Sequence, residues 1–305
     1  MNHTKNRALL GHLAALFTIT VWGTTFISTK ILLAGFQPVE ILFFRFLIGF
    51  AVLAALPPHG QKLTSRRQEL TFALAGACGI CLYYLLENIA LTFTLASNVG
   101  VIISVAPFFT AILAHLFLRS EQKLRLPFFI GFAAAMAGIA CVSFQGQALA
   151  LNPVGDLLAV AAAFVWALYS IFTKKIAGFG LPVVFSTRKT FFYGILCMTP
   201  ALFLFDFQPD IARFAAPVYL FNILYLGLGA SALCFVTWNF AVKELGAVKT
   251  SVYIYLVPII TVAASALILH EQLSALAGIG MVLTMAGLIL SEYKPKRRTN
   301  NGSAK

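Results

Sequence analysis

The chain has 305 residues, of which 60% are hydrophobic and 10% are charged, and its formal net charge is +12 at pH 7. A soluble domain is usually about 45–50% apolar and about 25% charged, so this composition excludes an ordinary soluble fold and favours a membrane protein. The basic residues lie in short segments between apolar runs and lack aromatic interleaving, which argues against nucleic acid as a partner and predicts the lipid bilayer instead.

Apolar runs long enough to cross a bilayer recur along the whole chain. A spanning helix needs about 20 mostly apolar residues. Proline marks several boundaries of these runs, as at Pro38, Pro153 and Pro182. The predicted fold class is therefore an all-α membrane protein with ten transmembrane helices. The predicted spans are residues 8–33, 38–57, 68–92, 96–118, 124–143, 155–177, 181–205, 217–241, 247–269 and 274–291.

The distribution of lysine and arginine predicts the orientation of these spans. Most of the 22 basic residues fall in alternate connections and in the two ends of the chain. Because cytoplasmic segments carry an excess of lysine and arginine, we expect both termini to be cytoplasmic. The expected location is the plasma membrane, which is the cytoplasmic membrane in a prokaryote. Residues 292–305 are expected to form a basic disordered cytoplasmic tail.

The two halves of the chain resemble each other at an offset of about 144–151 residues. The segment Trp22–Lys30 (WGTTFISTK) matches Trp166–Lys174 (WALYSIFTK), and further matches follow in the same order. These matches predict two five-helix repeats, residues 8–143 and 155–291. Because five is an odd number, the second repeat enters the membrane in the opposite direction. Inverted repeats are a recurrent basis of alternating access in transporters.

The repeated motifs resemble a known family. The first helix reads WGTTF followed by TK, the second carries Pro38 and Arg45, and the fourth carries Pro107 followed by Glu121 and a glutamine. This arrangement is similar to the EamA type of the drug/metabolite transporter superfamily, over about residues 8–291. The resemblance implies ten helices in inverted five-helix repeats and export of a small polar or amphipathic metabolite, such as an amino acid.

Polar and aromatic side chains inside the predicted spans are candidate functional residues, because burying them in lipid is costly. Tyr83, Tyr84, Glu87 and Asn88 form one stripe on the third helix. Lining a central cavity is the preferred role of this stripe, and packing against a neighbouring helix is the alternative. The predicted substrate-binding or cavity-lining residues are Trp22, Thr25, Tyr83, Tyr84, Asn88, Ser104, Trp166 and Tyr255.

Glu87 is the only acid well inside a predicted span, and Arg45 lies at a similar predicted depth. Two main roles remain open for Glu87. It takes up and releases a proton during transport, or it forms a structural ion pair with Arg45 or Lys30. A third alternative is an exposed carboxylate near the end of the helix.

Two pairs of residues at equivalent positions of the repeats complete the candidate site. Trp22 and Trp166 fall near the middle of their helices, where they form either a cavity wall or central packing. Pro107 and Pro258 each remove a backbone hydrogen bond, which kinks a helix. These kinks are predicted to act as gating elements, and a purely structural bend is the alternative.

The predicted function is secondary-active transport of a small-molecule substrate, with export of a metabolite such as an amino acid by alternating access. The first alternative is a proton-coupled exporter of lipophilic cations that uses Glu87. An intramembrane enzyme is disfavoured, because the sequence has no HExxH or GxSxG motif and no paired aspartates within the spans. A receptor or scaffold is a further alternative. No cofactor or metal is expected, and both a monomer and a homodimer remain open.

Overall fold

The structure is a computed structural model, and it describes residues 2–58, 65–118, 126–143, 153–205, 207–208, 210–271 and 274–292. These residues form helices and short connections, with no strand among them. Residues 293–305 of the predicted tail, and the motif that begins at Glu121, lie outside the described residues.

The helices follow one another through short connections and coincide with the predicted apolar runs. In chain order they are α1 (Asn2–Leu32), α2 (Pro38–Ala55), α3 (Arg66–Phe93), α4 (Ala96–Phe117), α5 (Leu126–Ser143), α6 (Pro153–Ala177), α7 (Val183–Leu204), α8 (Pro217–Leu245), α9 (Ala247–Ile268) and α10 (Ala275–Glu292).

In the described part of the chain, seven helices are long and apolar enough to cross a membrane: α1, α2, α3, α4, α6, α8 and α9. Helices α5 and α10 contribute shorter apolar stretches. Helix α7 is less apolar because it carries Arg188 and Lys189 near its beginning. Phe203, Leu204 and Leu267 are 82%, 78% and 77% exposed, which suits side chains that face lipid. The all-helical membrane fold is thus confirmed, whereas ten as the number of spans stays a prediction.

Four of these helices contain an irregular turn. Helix α3 is π-helical over Ala77–Leu82, and α8 is π-helical over Tyr225–Leu233. Helix α4 is interrupted at Ser104, shortly before Pro107, and α9 has a 3₁₀ turn over Val252–Leu256, directly before the turn with Pro258. Proline cannot donate a backbone hydrogen bond and its ring crowds the preceding turn, which accounts for the position of the last two irregularities.

Helices α5 and α10 pack closely and run antiparallel. A Cβ atom added at Gly138 would lie 2.5 Å from the carbonyl oxygen of Gly280, and one added at Gly287 would lie 2.5 Å from that of Gly131. Gly138 of α5 therefore faces Gly280 of α10, while Gly131 of α5 faces Gly287 of α10. Residue numbers thus rise along one helix as they fall along the other. Only glycine permits the two backbones to approach this closely.

Two further pairs of equivalent helices also pack on each other. Helix α2 packs on α7, and α4 packs on α9. In the second pair, Gly100 lies against Thr261, while Ser97 reaches Glu271 just beyond the end of α9. This pair therefore runs antiparallel too. Around the centre, α1 packs on α8 and α3 packs on α6, so that both halves surround the same space.

Candidate functional site

A cluster of aromatic rings occupies the centre of the molecule. The rings of Trp22 in α1 and Trp166 in α6 meet edge to face, with centroids 5.1 Å apart. Trp238 of α8 lies 5.1 Å from Trp22, and Tyr83 of α3 lies 4.9 Å from Trp166. The indole nitrogen of Trp22 donates a hydrogen bond to the Ala230 carbonyl at 2.8 Å, in the π-helical part of α8. This bond fixes the orientation of one tryptophan of the pair.

A narrow cavity, the central cavity, lies beside this cluster. Its free space has room for about two water molecules, at roughly 10–15 Å³ for each. This space therefore has to widen before it can hold a metabolite. The lining residues come from both halves of the chain and are Ile19, Trp22, Thr25, Phe26, Tyr83, Tyr84, Glu87, Ile103, Trp166, Ile254 and Val257.

Glu87 supplies the carboxylate of the central cavity. Its side chain is buried, with 1% of its surface exposed, and the Tyr83 hydroxyl lies within hydrogen-bonding range. Its Oε1 atom has no hydrogen-bond partner among the described residues. Because an unpartnered buried carboxylate oxygen is costly, it marks a position that a proton or a polar ligand group would stabilise. Glu87 is thus an interior residue and not an exposed helix end.

Arg45 is fully buried next to the same cavity. Its Nε donates to the Ser231 Oγ at 3.2 Å, and its guanidinium group lies 4.2 Å from the centre of the Tyr84 ring. Its two terminal nitrogens have no hydrogen-bond partner among the described residues. No ion pair within 4.0 Å joins Arg45 to Glu87 in the part of the chain that the structure describes. Arg45 instead contacts the ring of Tyr84, which lines the central cavity together with Glu87.

Lys30 lies at the end of α3 and not in the central cavity. Its Nζ donates hydrogen bonds to the carbonyl oxygens of Leu91 and Thr94, at 2.5 Å and 3.0 Å. The carboxylate of Glu271 accepts hydrogen bonds from the backbone of Ala96 and Ser97, at 3.0 Å and 3.3 Å. A cation therefore holds the end of α3, and an anion holds the beginning of α4, as the helix dipoles favour. The structure does not bring Lys30 to Glu87.

The remaining predicted lining residues divide into two groups. Thr25 lines the central cavity, and its hydroxyl donates to the Trp22 carbonyl at 2.7 Å. Asn88, Ser104 and Tyr255 are buried but are not part of the cavity wall. Asn88 donates to the Pro38 carbonyl at 3.0 Å, and Ser104 donates to Val101 at the interruption of α4.

Three residues at the site were not singled out from the sequence. Trp238 completes the tryptophan cluster, and Ser231 holds Arg45. Tyr169 is buried against Trp166, with ring centroids 5.0 Å apart. A signal for Tyr169 exists in the repeat, because this tyrosine occupies the position that Thr25 has in the first half.

Known proteins are similar to this chain over almost its whole length. A protein of Archaeoglobus fulgidus named "Uncharacterized transporter" is 26% identical over 93% of this chain and 97% of its own. The "Probable terminal-alkyne amino-acid exporter" of Streptantibioticus cattleyicolor is 27% identical over 95% of this chain and 96% of its own. A solved crystal structure superposes with a TM-score of 0.64 and 19% identity, over 94% of this chain and 96% of the other, which shows a shared fold.

The family assignment rests on both halves of the chain. The model of the EamA-like transporter family matches residues 9–144 and again residues 153–293. Together with the apolar helices of the fold, these matches identify a multi-pass membrane transporter. The chain belongs to the EamA-like transporter family.

Proposed function

We propose that the protein is a secondary-active transporter that exports a small metabolite, such as an amino acid, across the plasma membrane by alternating access. Ten spans form two inverted five-helix repeats, residues 8–143 and 155–291. The observation that carries the proposal is the central cavity, to which both halves contribute lining residues. A site shared by two such halves can face either side of the membrane in turn as one half moves against the other.

The antiparallel pairing of equivalent helices supports the inverted arrangement. Helix α5 packs against α10 in opposite directions, and α4 does so against α9. Both of these pairs join corresponding elements of the two repeats, which is the arrangement expected around a two-fold axis in the membrane plane.

Both termini lie in the cytoplasm in this proposal. The end of the molecule with Lys174, Lys175 and Lys243 is then the cytoplasmic face, and the end with Lys30 is the outer face. Contacts between side chains agree with this grouping: Arg188 reaches the end of α2, and Lys189 forms a 3.0 Å ion pair with Glu69 at the beginning of α3. The excess of positive residues at one face supports the assignment.

Glu87 is the proposed coupling residue, together with Arg45. A carboxylate without a second hydrogen-bond partner, enclosed by aromatic rings, is suited to bind a proton or the ammonium group of an amino acid. Arg45, whose terminal nitrogens have no partner among the described residues, is suited to balance that charge. The relative whose name describes an amino-acid exporter supports amino acids as the first substrates to test.

One observation favours a second function, proton-coupled export of lipophilic cations. Trp22, Tyr83, Tyr84 and Trp166 surround the space next to Glu87. Aromatic faces beside a carboxylate attract organic cations, and each such contact contributes about 0.5–2 kcal/mol. The same walls therefore suit a flat cation that exchanges with a proton on Glu87.

The test compares solutes released by cells that overexpress the protein with those released by cells that overexpress Glu87→Gln. We expect specific metabolites to accumulate outside the first cells, and Glu87→Gln to lower that release by about tenfold or more, since it removes a charge from the cavity. Glu69→Gln is the matched control, because it changes the same group on the same helix outside the central cavity.

Resistance of the same cells to lipophilic cations distinguishes the two functions. Resistance that depends on Glu87, without metabolite release, would favour the cation exporter. Equal release by the wild type and both variants would contradict a role for Glu87 in either.

A further inference from the structure

A second cavity lies at the cytoplasmic face of the proposed orientation, separate from the central cavity. It is bounded by the end of α6, the beginning of α7 and the last turns of α8, and Lys243 lies at its edge. Most of its polar side chains are hydroxyl or amide groups. The lining residues are Thr173, Ile176, Ala177, Leu181, Val183, Ser186, Thr190, Asn239 and Lys243.

One face of α6 leads from the central cavity to the second cavity. Trp166 lines the first and Thr173 lines the second, with Tyr169 between them on the same face at helical spacing. The seven residues from Trp166 to Thr173 span about 10 Å along the helix axis, at a rise of roughly 1.5 Å per residue. Tyr169 is fully buried, its ring contacts Trp166 of the central cavity, and its hydroxyl bonds to Asn239 of the second cavity.

Hydrogen bonds and packing hold Tyr169 in that position. Its hydroxyl donates to the Asn239 Oδ1 at 2.8 Å, and the Asn239 amide donates to the Thr187 hydroxyl at 3.0 Å. The other side of the ring lies against Gly79 in the π-helical part of α3, where any side chain would overlap it. Three helices besides α6 therefore position one ring.

The repeat shows that this arrangement is specific to the second half. Tyr169 and Asn239 occupy the positions of Thr25 and Asn88 in the first half. Thr25 lines the central cavity and bonds to its own helix, and the Asn88 Oδ1 has no partner among the described residues. The first half thus lacks the tyrosine–asparagine bond, and the outer face has no equivalent ring at this point.

We propose that the second cavity is the cytoplasmic entrance of the transport pathway, and that Tyr169, held by Asn239, is the gate between it and the central cavity. The exported solute enters beside Lys243 and passes Tyr169 when the bond to Asn239 breaks and the ring swings away from Gly79. This inference rests on the proposed function, and it adds two gating residues and an entrance to it.

The experiment measures access to the central cavity without any transported solute. In a variant with the five native cysteines replaced, Ile103→Cys places one thiol in the wall of the central cavity. A membrane-impermeant thiol reagent is applied to the cytoplasmic face, and the labelling rate is recorded. Tyr169→Phe keeps the ring but removes the hydroxyl and its hydrogen bonds with Asn239 and Thr173. We therefore expect labelling to be about fivefold to tenfold faster. Asn239→Ala is expected to give the same increase.

Tyr225→Phe is the matched control, because the Tyr225 hydroxyl is also hydrogen-bonded, to Thr24 at 2.5 Å, at a distance from the second cavity. It should leave the rate unchanged. An unchanged rate in Tyr169→Phe and Asn239→Ala would overturn the proposal, as would an increase only for reagent applied to the outer face. The assay needs no substrate, so it tests the gate separately from the proposed export. If the Tyr169 and Asn239 variants label faster while cells with the wild-type protein release no metabolite, the gate is supported and only the proposed export is contradicted.

Discussion

Arg45 and Glu87 are two buried charges of opposite sign, and Tyr84, which contacts Arg45, lines the central cavity together with Glu87. Each has at least one polar atom without a hydrogen-bond partner among the described residues. No direct ion pair joins them in the described part of the chain. In an interior of low dielectric, two such charges stabilise each other even beyond contact distance, and removing either one leaves the other uncompensated.

We therefore expect the effects of the two residues on stability to be coupled. Arg45→Gln and Glu87→Gln should each lower the free energy of unfolding by about 2–4 kcal/mol, because each leaves one buried charge. The double variant should lose less than the sum of the two, by about 1–2 kcal/mol. These three variants and the wild type form a double-mutant cycle. Thermal unfolding of each purified protein in detergent measures the four stabilities.

A second cycle provides the control. Arg188 donates its hydrogen bonds to backbone carbonyls at the end of α2, far from Glu87. Arg188→Gln and Glu87→Gln should therefore have additive effects. Additive losses in the Arg45 cycle as well would mean that Arg45 and Glu87 do not interact.

The sequence predicted the position of Glu87 but not that of Lys30. Hydropathy identified Glu87 because an acid inside an apolar run is rare, and the structure buries it in the central cavity. Lys30 was one of two candidate partners for an ion pair with Glu87, but its long side chain reaches the carbonyl groups at the end of α3 instead. The partner of Lys30 depends on how α1 packs against α3, which the hydropathy pattern of one helix does not reveal.

At the scale of elements, the pairing of α5 with α10 depends on glycine. The two backbones approach so closely at Gly138 that an added methyl group would overlap Gly280. Gly278, in the same interface helix α10, has no neighbouring atom within 4 Å of an added Cβ. The two glycines thus differ in packing but not in secondary structure.

Gly138→Ala should lower the thermal unfolding temperature by several degrees, because it forces α5 away from α10. The corresponding loss is about 1–3 kcal/mol, as for other overpacked contacts. Gly278→Ala should leave the temperature unchanged or raise it slightly, since alanine favours a helix by about 0.5–1 kcal/mol over glycine. Equal effects of the two substitutions would contradict the close pairing.

The positions of the helices were predictable from the sequence, whereas their irregular turns were only partly so. Apolar runs and boundary prolines located every helix, and Pro107 and Pro258 indicated where α4 and α9 lose regularity. The π-helical turns at Ala77–Leu82 and Tyr225–Leu233 gave no such signal. They fall at corresponding places in the two halves, and Gly79 in the first of them packs against Tyr169 of another helix.

At the scale of the whole molecule, the duplication carried the most information. The repeated motifs predicted two similar units, and the family model matches each half separately. The predicted central position of Trp22 and Trp166 agrees with the contact between their rings. The comparison of the two halves also shows Thr25 and Tyr169 at equivalent positions. The role of Tyr169 depends on its hydrogen bond to Asn239, which lies 70 residues further along the chain.

Access of water-soluble reagents to the central cavity tests the transport account most directly. Thr25→Cys, in a background without the native cysteines, places a thiol in the wall of that cavity. We predict that a membrane-impermeant reagent labels this thiol from either face of the membrane, while Ile259→Cys, on the exposed surface near the middle of α9, is labelled from neither. Labelling of Thr25→Cys from one face only, or from neither, would contradict alternating access to a shared site.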